Sequence, residues 1–206
     1  MIYLTSDTHF CHNKDFLYEP RGFQSIEEHD EAIVKNWNSI VTPDDEVYHL
    51  GDVILNDNTK GLGYLKQLNG KIHIILGNHD TDTRKEFYQC LTNVVEVTYA
   101  TIIKYKKCHF YLSHYPTITS NDIDTSPYHK NLINIYGHTH QKTKFYNDNS
   151  YMYCVCLDAH NNYPVSIEQV IEDIKNKINE LYKEKIQKEK ELKEYYENGL
   201  GYFEKH

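Results

Sequence analysis

No apolar run in this 206-residue chain approaches the roughly 20 residues that a membrane-spanning helix needs. The opening residues, MIYLTSDTHF, lack a basic region ahead of an apolar stretch and lack a small-residue cleavage site. The chain is therefore expected to be soluble and not exported. Arginine is scarce, only Arg21 and Arg84 among 22 basic residues. Net charge is −8, and residues 166–206 hold eight lysines against ten acids, which leaves about −6 on residues 1–165. A body so acidic and arginine-poor is a weak candidate for wrapping a nucleic-acid backbone. The five cysteines are odd in number and irregularly spaced, which argues against a disulfide scaffold and for a reducing compartment. Cys154 and Cys156 form a C-x-C pair with no second pair to complete a thiolate metal site, so they read as small buried residues.

What the chain does contain suffices for one domain and an appended tail, since 39% hydrophobic and 13% aromatic residues can fill a core. Residues 2–6, 46–50 and 71–76 are short apolar runs that read as strands, separated by helical patterns over 25–40 and 59–68. Ser25-Ile-Glu-Glu28 is a capping box for the first helix, whose apolar face is Ile26, Ala32, Ile33, Trp37 and Ile40. This alternation predicts a partly parallel sheet. After a helix over 83–91 the pattern turns to strands at 94–97, 101–105, 109–113, 132–136 and 151–157, with a hairpin suggested around Lys104, Lys106 and Lys107. Two long irregular stretches, reaching to about residue 25 and over 115–130, are of the kind that tends to be functional. A second capping box, Ser166-Ile-Glu-Gln169, starts a helix expected to end near Asn198. Its stripe of Val170, Ile171, Ile174, Ile178 and Leu181 is expected to pack on a domain of residues 1–165, making 166–206 a helical extension. Beyond Leu181 the stripe thins among Lys and Glu, which reads as solvated helix, with oligomerisation through it as the alternative.

Polar residues collect where the apolar runs stop. They are Asp7 and His9, Asp52, Asn78 and His79 in KIHIILGNHD, His114, and His138 with His140 in Gly-His-Thr-His. The C-terminal edges of strands are where open α/β sheets place their chemistry. Strand alternation would set Asp7 beside His9 and His138 beside His140. One such pair is ordinary turn chemistry, whereas five strand-end groups of carboxylate, imidazole and amide point to metal. Nitrogen and oxygen ligands without thiolate suit manganese, iron, cobalt, nickel or zinc rather than calcium. Seven ligands exceed the needs of one ion with open positions, and two ions sharing a carboxylate fit the count.

In this order, Asp7-x-His9, Gly51-Asp52, Gly77-Asn78-His79-Asp80, His114 and Gly137-His138-x-His140 resemble the motifs of the calcineurin-like metallophosphoesterase superfamily, over about residues 1–165. SDTHF, Arg21-Gly-Phe, Asn36-Trp-Asn38 and Asn161-Asn-Tyr-Pro-Val165 are similar to a small bacterial and phage branch, which implies a cytoplasmic protein of a bacterium or of a phage's host. The resemblance implies an α/β fold, a four-layer α/β/β/α sandwich of two mixed sheets, followed here by the long C-terminal helix. It also implies one divalent ion on Asp7, His9, Asp52 and His140 and a second on Asp52, Asn78, His114 and His138. Manganese is the first choice of metal, ahead of Fe, Ni, Co or Zn. The activity implied is hydrolysis of small phosphodiesters or phosphomonoesters by a hydroxide bridging the two ions, with His79 protonating the leaving oxygen. A nuclease of the same superfamily, acting on DNA or RNA, is the alternative, disfavoured by the acidic body. An inactive scaffold of this fold is a third reading, weakened because no metal position is lost.

One departure stands out. In the serine/threonine phosphatases of the superfamily an Asp and an Arg follow the second motif, to orient the acid histidine and bind phosphate. Here Gly51-Asp52 continues Val53-Ile54-Leu55-Asn56, so His79 needs another partner and the phosphate another cation. Arg21 is the candidate for that phosphate contact and His12 for the rim of the site. His49 is expected in the core or behind a ligand, His73 off its strand toward a neighbour, and Asp158 and His160 hydrogen-bonded to ligand histidines.

Overall fold

The computed structural model describes residues 1–119 and 130–203. Strands β1 (Ile2–Thr5), β2 (Glu46–His49), β3 (Lys71–Ile75) and β4 (Val94–Thr98) run parallel in one sheet. The next four strands, β5 (Ala100–Tyr105), β6 (Cys108–Ser113), β7 (Leu132–Tyr136) and β8 (Met152–Cys154), form a second sheet in that order. Within it β5 and β6 are an antiparallel hairpin whose two-residue turn holds Lys106 at φ 53°, and β6, β7 and β8 are parallel. Finally β9 (Val165–Ser166) pairs antiparallel with β1, giving the first sheet the order β4-β3-β2-β1-β9. The helices are α1 (Asp15–Tyr18), α2 (Ile26–Ile40), α3 (Asn58–Leu65), α4 (Asp82–Gln89) and α5 (Ile167–Phe203). The fold is thus mixed α/β, with two mixed sheets, helices and a long C-terminal helix. Residues 1–170 form one compact unit and residues 171–206 a second. Among the described residues no helix is long and apolar enough to cross a membrane.

Strand β3, interior to the first sheet, is apolar because it is buried on both faces, with Ile72, Ile74 and Ile75 fully inaccessible. Its core joins Val47 of β2 to Ile33 and Trp37 of α2, Leu65 of α3 and Tyr88 of α4, each such side chain contributing about 1.5–3 kcal/mol by burial. Ser25 caps α2 by accepting the Glu28 N–H (3.2 Å), and the Glu28 carboxylate accepts from Gln24, one residue before the cap (2.7 Å). The buried face of α2 is Ile26, His29, Asp30, Ile33 and Trp37. Of the expected apolar face, Ile40 packs half-buried against the same core and Ala32 is half-buried, while the two polar residues His29 and Asp30 belong to a hydrogen-bonded network beneath the site.

Other departures have local causes. Residues 15–18, expected as loop, close one helical turn as α1. Strand β8 stops at Cys154, after which Cys156 makes a single parallel bridge to Ser6 and Leu157–Ala159 curls into a 3-10 turn. The last helix continues through Gly199 to Phe203, since glycine inside a helix costs only about 1 kcal/mol. Of the irregular stretch expected at 115–130, residues 120–129 lie outside the described residues.

Candidate metal centre

The segments that follow β1, β2, β3, β6 and β7 converge on one place, but not by strand alternation. Asp7, His9, Asp52, His138 and His140 all have φ between 47° and 69°, a left-handed backbone that non-glycine residues seldom adopt. Asp7 and His9, and likewise His138 and His140, therefore sit on tight turns beyond the strands and not on the pleat, and such strain clusters at functional sites. The motif glycines let these turns approach one another. A Cβ on Gly77 would stand 2.3 Å from Asp52 Oδ1, and one on Gly137 2.7 Å from Asp7 Oδ2.

Each aspartate spends one oxygen on the protein and presents the other. Asp7 Oδ2 accepts the His138 N–H (2.9 Å) and the Cys156 thiol (3.1 Å). Its Oδ1 is buried, accepts no hydrogen bond, and lies 3.8 Å from His9 Nε2 and 3.6 Å from His140 Nε2. Asp52 Oδ1 accepts the His79 N–H (2.9 Å), while its Oδ2 lies 3.7 Å from His9 Nε2 and 3.5 Å from His114 Nε2. Two groups result, Asp7 with His9 and His140, and Asp52 with His114 and His138. Asn78 Oδ1 joins the second at 3.0 Å from His114 Nε2. His9 Nε2 and His140 Nε2 are 3.1 Å apart, close to the separation of neighbouring ligands on one ion at about 2.1 Å. The unsatisfied Asp7 oxygen and these crowded nitrogens fit a divalent cation in the first group, and the Asp52, His114 and His138 donors lie close enough to one another to hold one in the second.

Hydrogen bonds behind the imidazoles aim them. His114 Nδ1 donates to the Leu50 carbonyl (2.7 Å), which turns Nε2 toward Asp52. Burial works against a charged His114, but its hydrogen bond to the Asp52 carboxylate and the charges of Asp7 and Asp52 hold it up at about 9. His140 Nδ1 meets Asp158 Oδ2 (3.0 Å), and although burial opposes it, that contact and the charge of Asp7 raise the His140 pKa. His9 is driven well below the usual histidine range, by burial first and then by His140 and Arg21.

His79 projects into a cleft of about 560 Å³ lined also by His9, Asp52, Asn78, His138 and His140. Its backbone is clamped, N–H to Asp52 Oδ1 and carbonyl to Arg84 Nη1 (2.5 Å). Among the described residues its imidazole forms no hydrogen bond. Asp80 points away from it. The buried Asp80 carboxylate accepts from the N–H groups of Asp52 (2.7 Å), Val53 (3.1 Å) and Gly77 (2.9 Å) and from the Tyr88 hydroxyl (2.8 Å). It thereby ties the turn after β2 to the turn after β3, and burial raises its pKa.

The phosphate contact expected of Arg21 is corrected by its surroundings. Its side chain is 1% exposed and donates through Nε and Nη2 to Asp158 (3.1 and 2.7 Å), through Nη2 to the Asp7 carbonyl (2.8 Å) and through Nη1 to His29 Nε2 (3.0 Å). With its donors turned inward it braces Asp158 behind His140. His29 hands the chain on to Asp30 (2.8 Å), which accepts the Cys11 N–H (2.9 Å). The expectation that Asp158 supports a ligand histidine matches the contact with His140, whereas His160 donates to the Cys154 carbonyl (2.9 Å). His12 lines the cleft. His49 is a core residue donating to Thr8 Oγ1 (2.9 Å), and burial pushes it down to about 3. His73 bridges Glu46 and Glu96 on its two neighbouring strands (2.7 and 3.3 Å). Sequence reasoning missed Cys156, His29, Asp30 and the role of Asp80. Only the C-x-C spacing and the polar residues on the apolar face of α2 hinted at the first three.

Residues 1–155, which contain every member of both groups, match the calcineurin-like phosphoesterase superfamily domain. An uncharacterized protein of Methanocaldococcus jannaschii is 34% identical over 177 residues, spanning 82% of this chain and 89% of that one. The gene 66 protein of Mycobacterium phage L5 is 42% identical over 83 residues, 38% of this chain and 39% of its own. Among solved structures, a protein of unknown function from Aquifex aeolicus aligns with a TM-score of 0.62 at 26% identity, over 84% of this chain and 98% of that chain.

Proposed function

Because the chain belongs to the calcineurin-like phosphoesterase superfamily, whose members are in general metal-using phosphoester hydrolases, we propose that it hydrolyses small phosphodiesters or phosphomonoesters with two divalent ions bound. Asp7, His9, Asp52 and His140 would hold one ion, and Asp52, Asn78, His114 and His138 the other. Manganese is the first candidate, as mixed imidazole and oxygen donors suit it. The observation that carries this reading is the single oxygen Asp52 Oδ2, which stands within 3.7 Å of an imidazole nitrogen from each group. Ions of this kind, when bound, lower the pKa of water and neutralise phosphate oxygens.

The chain's own residues supply the rest. Asp158 occupies His140 Nδ1 and the Leu50 carbonyl occupies His114 Nδ1, so that both present Nε2. His79 is held at its backbone with a free imidazole in the cleft, which suits proton transfer to a leaving oxygen. The Asp that the phosphatases use to orient this histidine has its counterpart in the two backbone clamps from Asp52 and Arg84.

Chelation is expected to abolish hydrolysis of bis-p-nitrophenyl phosphate, and added Mn²⁺ to restore it. Full activity in metal-stripped protein would overturn the reading.

A further inference from the structure

One wall of the cleft is apolar, and the chemistry assigned to the centre makes no use of it. Phe16, Leu17 and Pro20 line it, on α1 and just beyond, around the same space as His79, His140 and Lys142. Packing of α1 is already provided by Leu17 and Tyr18, 4% and 8% exposed, while Phe16 is 72% exposed. Its ring meets His12 edge-on with centroids 5.6 Å apart. His12 in turn lies 5.3 Å from the ring of His9 and 6.5 Å from that of His79. The exposed aromatic therefore stands two ring contacts away both from a residue of the metal groups and from the proposed acid, a span that one nucleotide covers. Lys142 adds a cation that, among the described residues, forms no ion pair. The cleft's volume of about 560 Å³ falls within the roughly 300–1,000 Å³ of small-molecule sites.

An aromatic face left in water beside an anion-binding centre is a platform for a second ring, since base–aromatic stacking is sequence-tolerant and needs no polar partner. We propose that Phe16, backed by His12, is a stacking subsite, and that the substrate is a phosphate ester carrying a planar heteroaromatic ring, of the nucleotide class. The proposal rests on the phosphoesterase reading for where the phosphate sits.

The test is calorimetric titration of the Mn²⁺-loaded full-length protein with AMP and with ribose 5-phosphate, which share sugar and phosphate and differ by the base. AMP is expected to bind at least about tenfold more tightly, in line with stacking of one base. Phe16→Ala should remove that preference while leaving ribose 5-phosphate affinity unchanged, and Phe16→Trp should keep it. Equal affinities in the wild type, no binding of either compound, or a preference that survives in Phe16→Ala would each overturn the proposal. Failure of the underlying reading is seen separately, as no turnover of either methyl p-nitrophenyl phosphate or p-nitrophenyl phosphate by the ion-loaded protein.

Discussion

Where β1, β2 and β3 begin, charges are paired and turns are satisfied. The Met1 amino group meets Asp45, the other Asp45 oxygen accepts the Thr42 N–H and hydroxyl (2.8 and 2.7 Å), and Glu46 lies against Lys71 and His73 (3.5 and 2.7 Å). Where the same strands stop, Asp7 Oδ1 and His9 Nδ1 are buried without partners and two imidazole nitrogens stand 3.1 Å apart. Buried polar groups normally find partners, and these atoms belong to groups that could hold a metal ion. The paired end holds the strands together, whereas the other carries two groups of side chains able to hold a metal ion.

The largest effect belongs to His79. Substitution to Asn is expected to cost alkyl phosphate esters about 10²–10⁴-fold in rate, the usual contribution of a general acid, and p-nitrophenyl esters less than about tenfold, because nitrophenolate leaves without a proton. Steady-state rates on the two ester types give the split directly. Equal losses on both would mean that His79 positions substrate and donates no proton to the leaving group.

Smaller, but more telling for the contrast, is Asp158→Asn. It removes the charge behind His140 and leaves Arg21 without its carboxylate partner. Affinity for one of two ions should fall about 10–100-fold, the usual cost of losing such support, while the other ion binds as before. Calorimetric metal titration resolves the two events. The ion-free protein should also melt at a lower temperature, since a buried arginine is left under-paired. Equal weakening of both ions would show that Asp158 supports the fold as a whole and not His140 in particular.

This network also marks the limit of what the sequence discloses. The strands were legible because β-branched runs such as Ile72 to Ile75 have one stable use, and the strand-end ligands because their types recur in order. Asp7 and His9 do fall in one group, but His138 and His140, expected side by side on a strand, go to different groups, because positive φ and not the pleat sets where each lies. Asp158 lies 137 positions from Arg21, and Cys156 lies 149 from Asp7. No local pattern announces such contacts, because they exist only once distant segments have met. For the same reason Arg21, expected to contact phosphate, proves buried against Asp158: its partner is at the far end of the domain sequence.

The smallest effect lies at the stable end. Hydrogen bonding to the Met1 amino group, with help from Thr42, holds the Asp45 carboxyl down to about 2, below the 3.8 of an unperturbed aspartate. A carboxyl depressed in the folded state contributes stability above its unfolded pKa and loses it as pH falls through the folded value. Asp45→Asn should therefore lower the melting temperature by roughly 2–4 °C at pH 7, and the deficit should shrink as pH falls from about 4 toward 2. Ion affinity should not change, for Asp45 touches only the strand starts, where its carbonyl accepts the Lys71 N–H (2.8 Å) and Glu46 N–H reaches Met1 (3.0 Å). A loss of ion affinity in this variant would mean that the register set at the strand starts is felt at their ends, and the two ends would then have to be treated as one device.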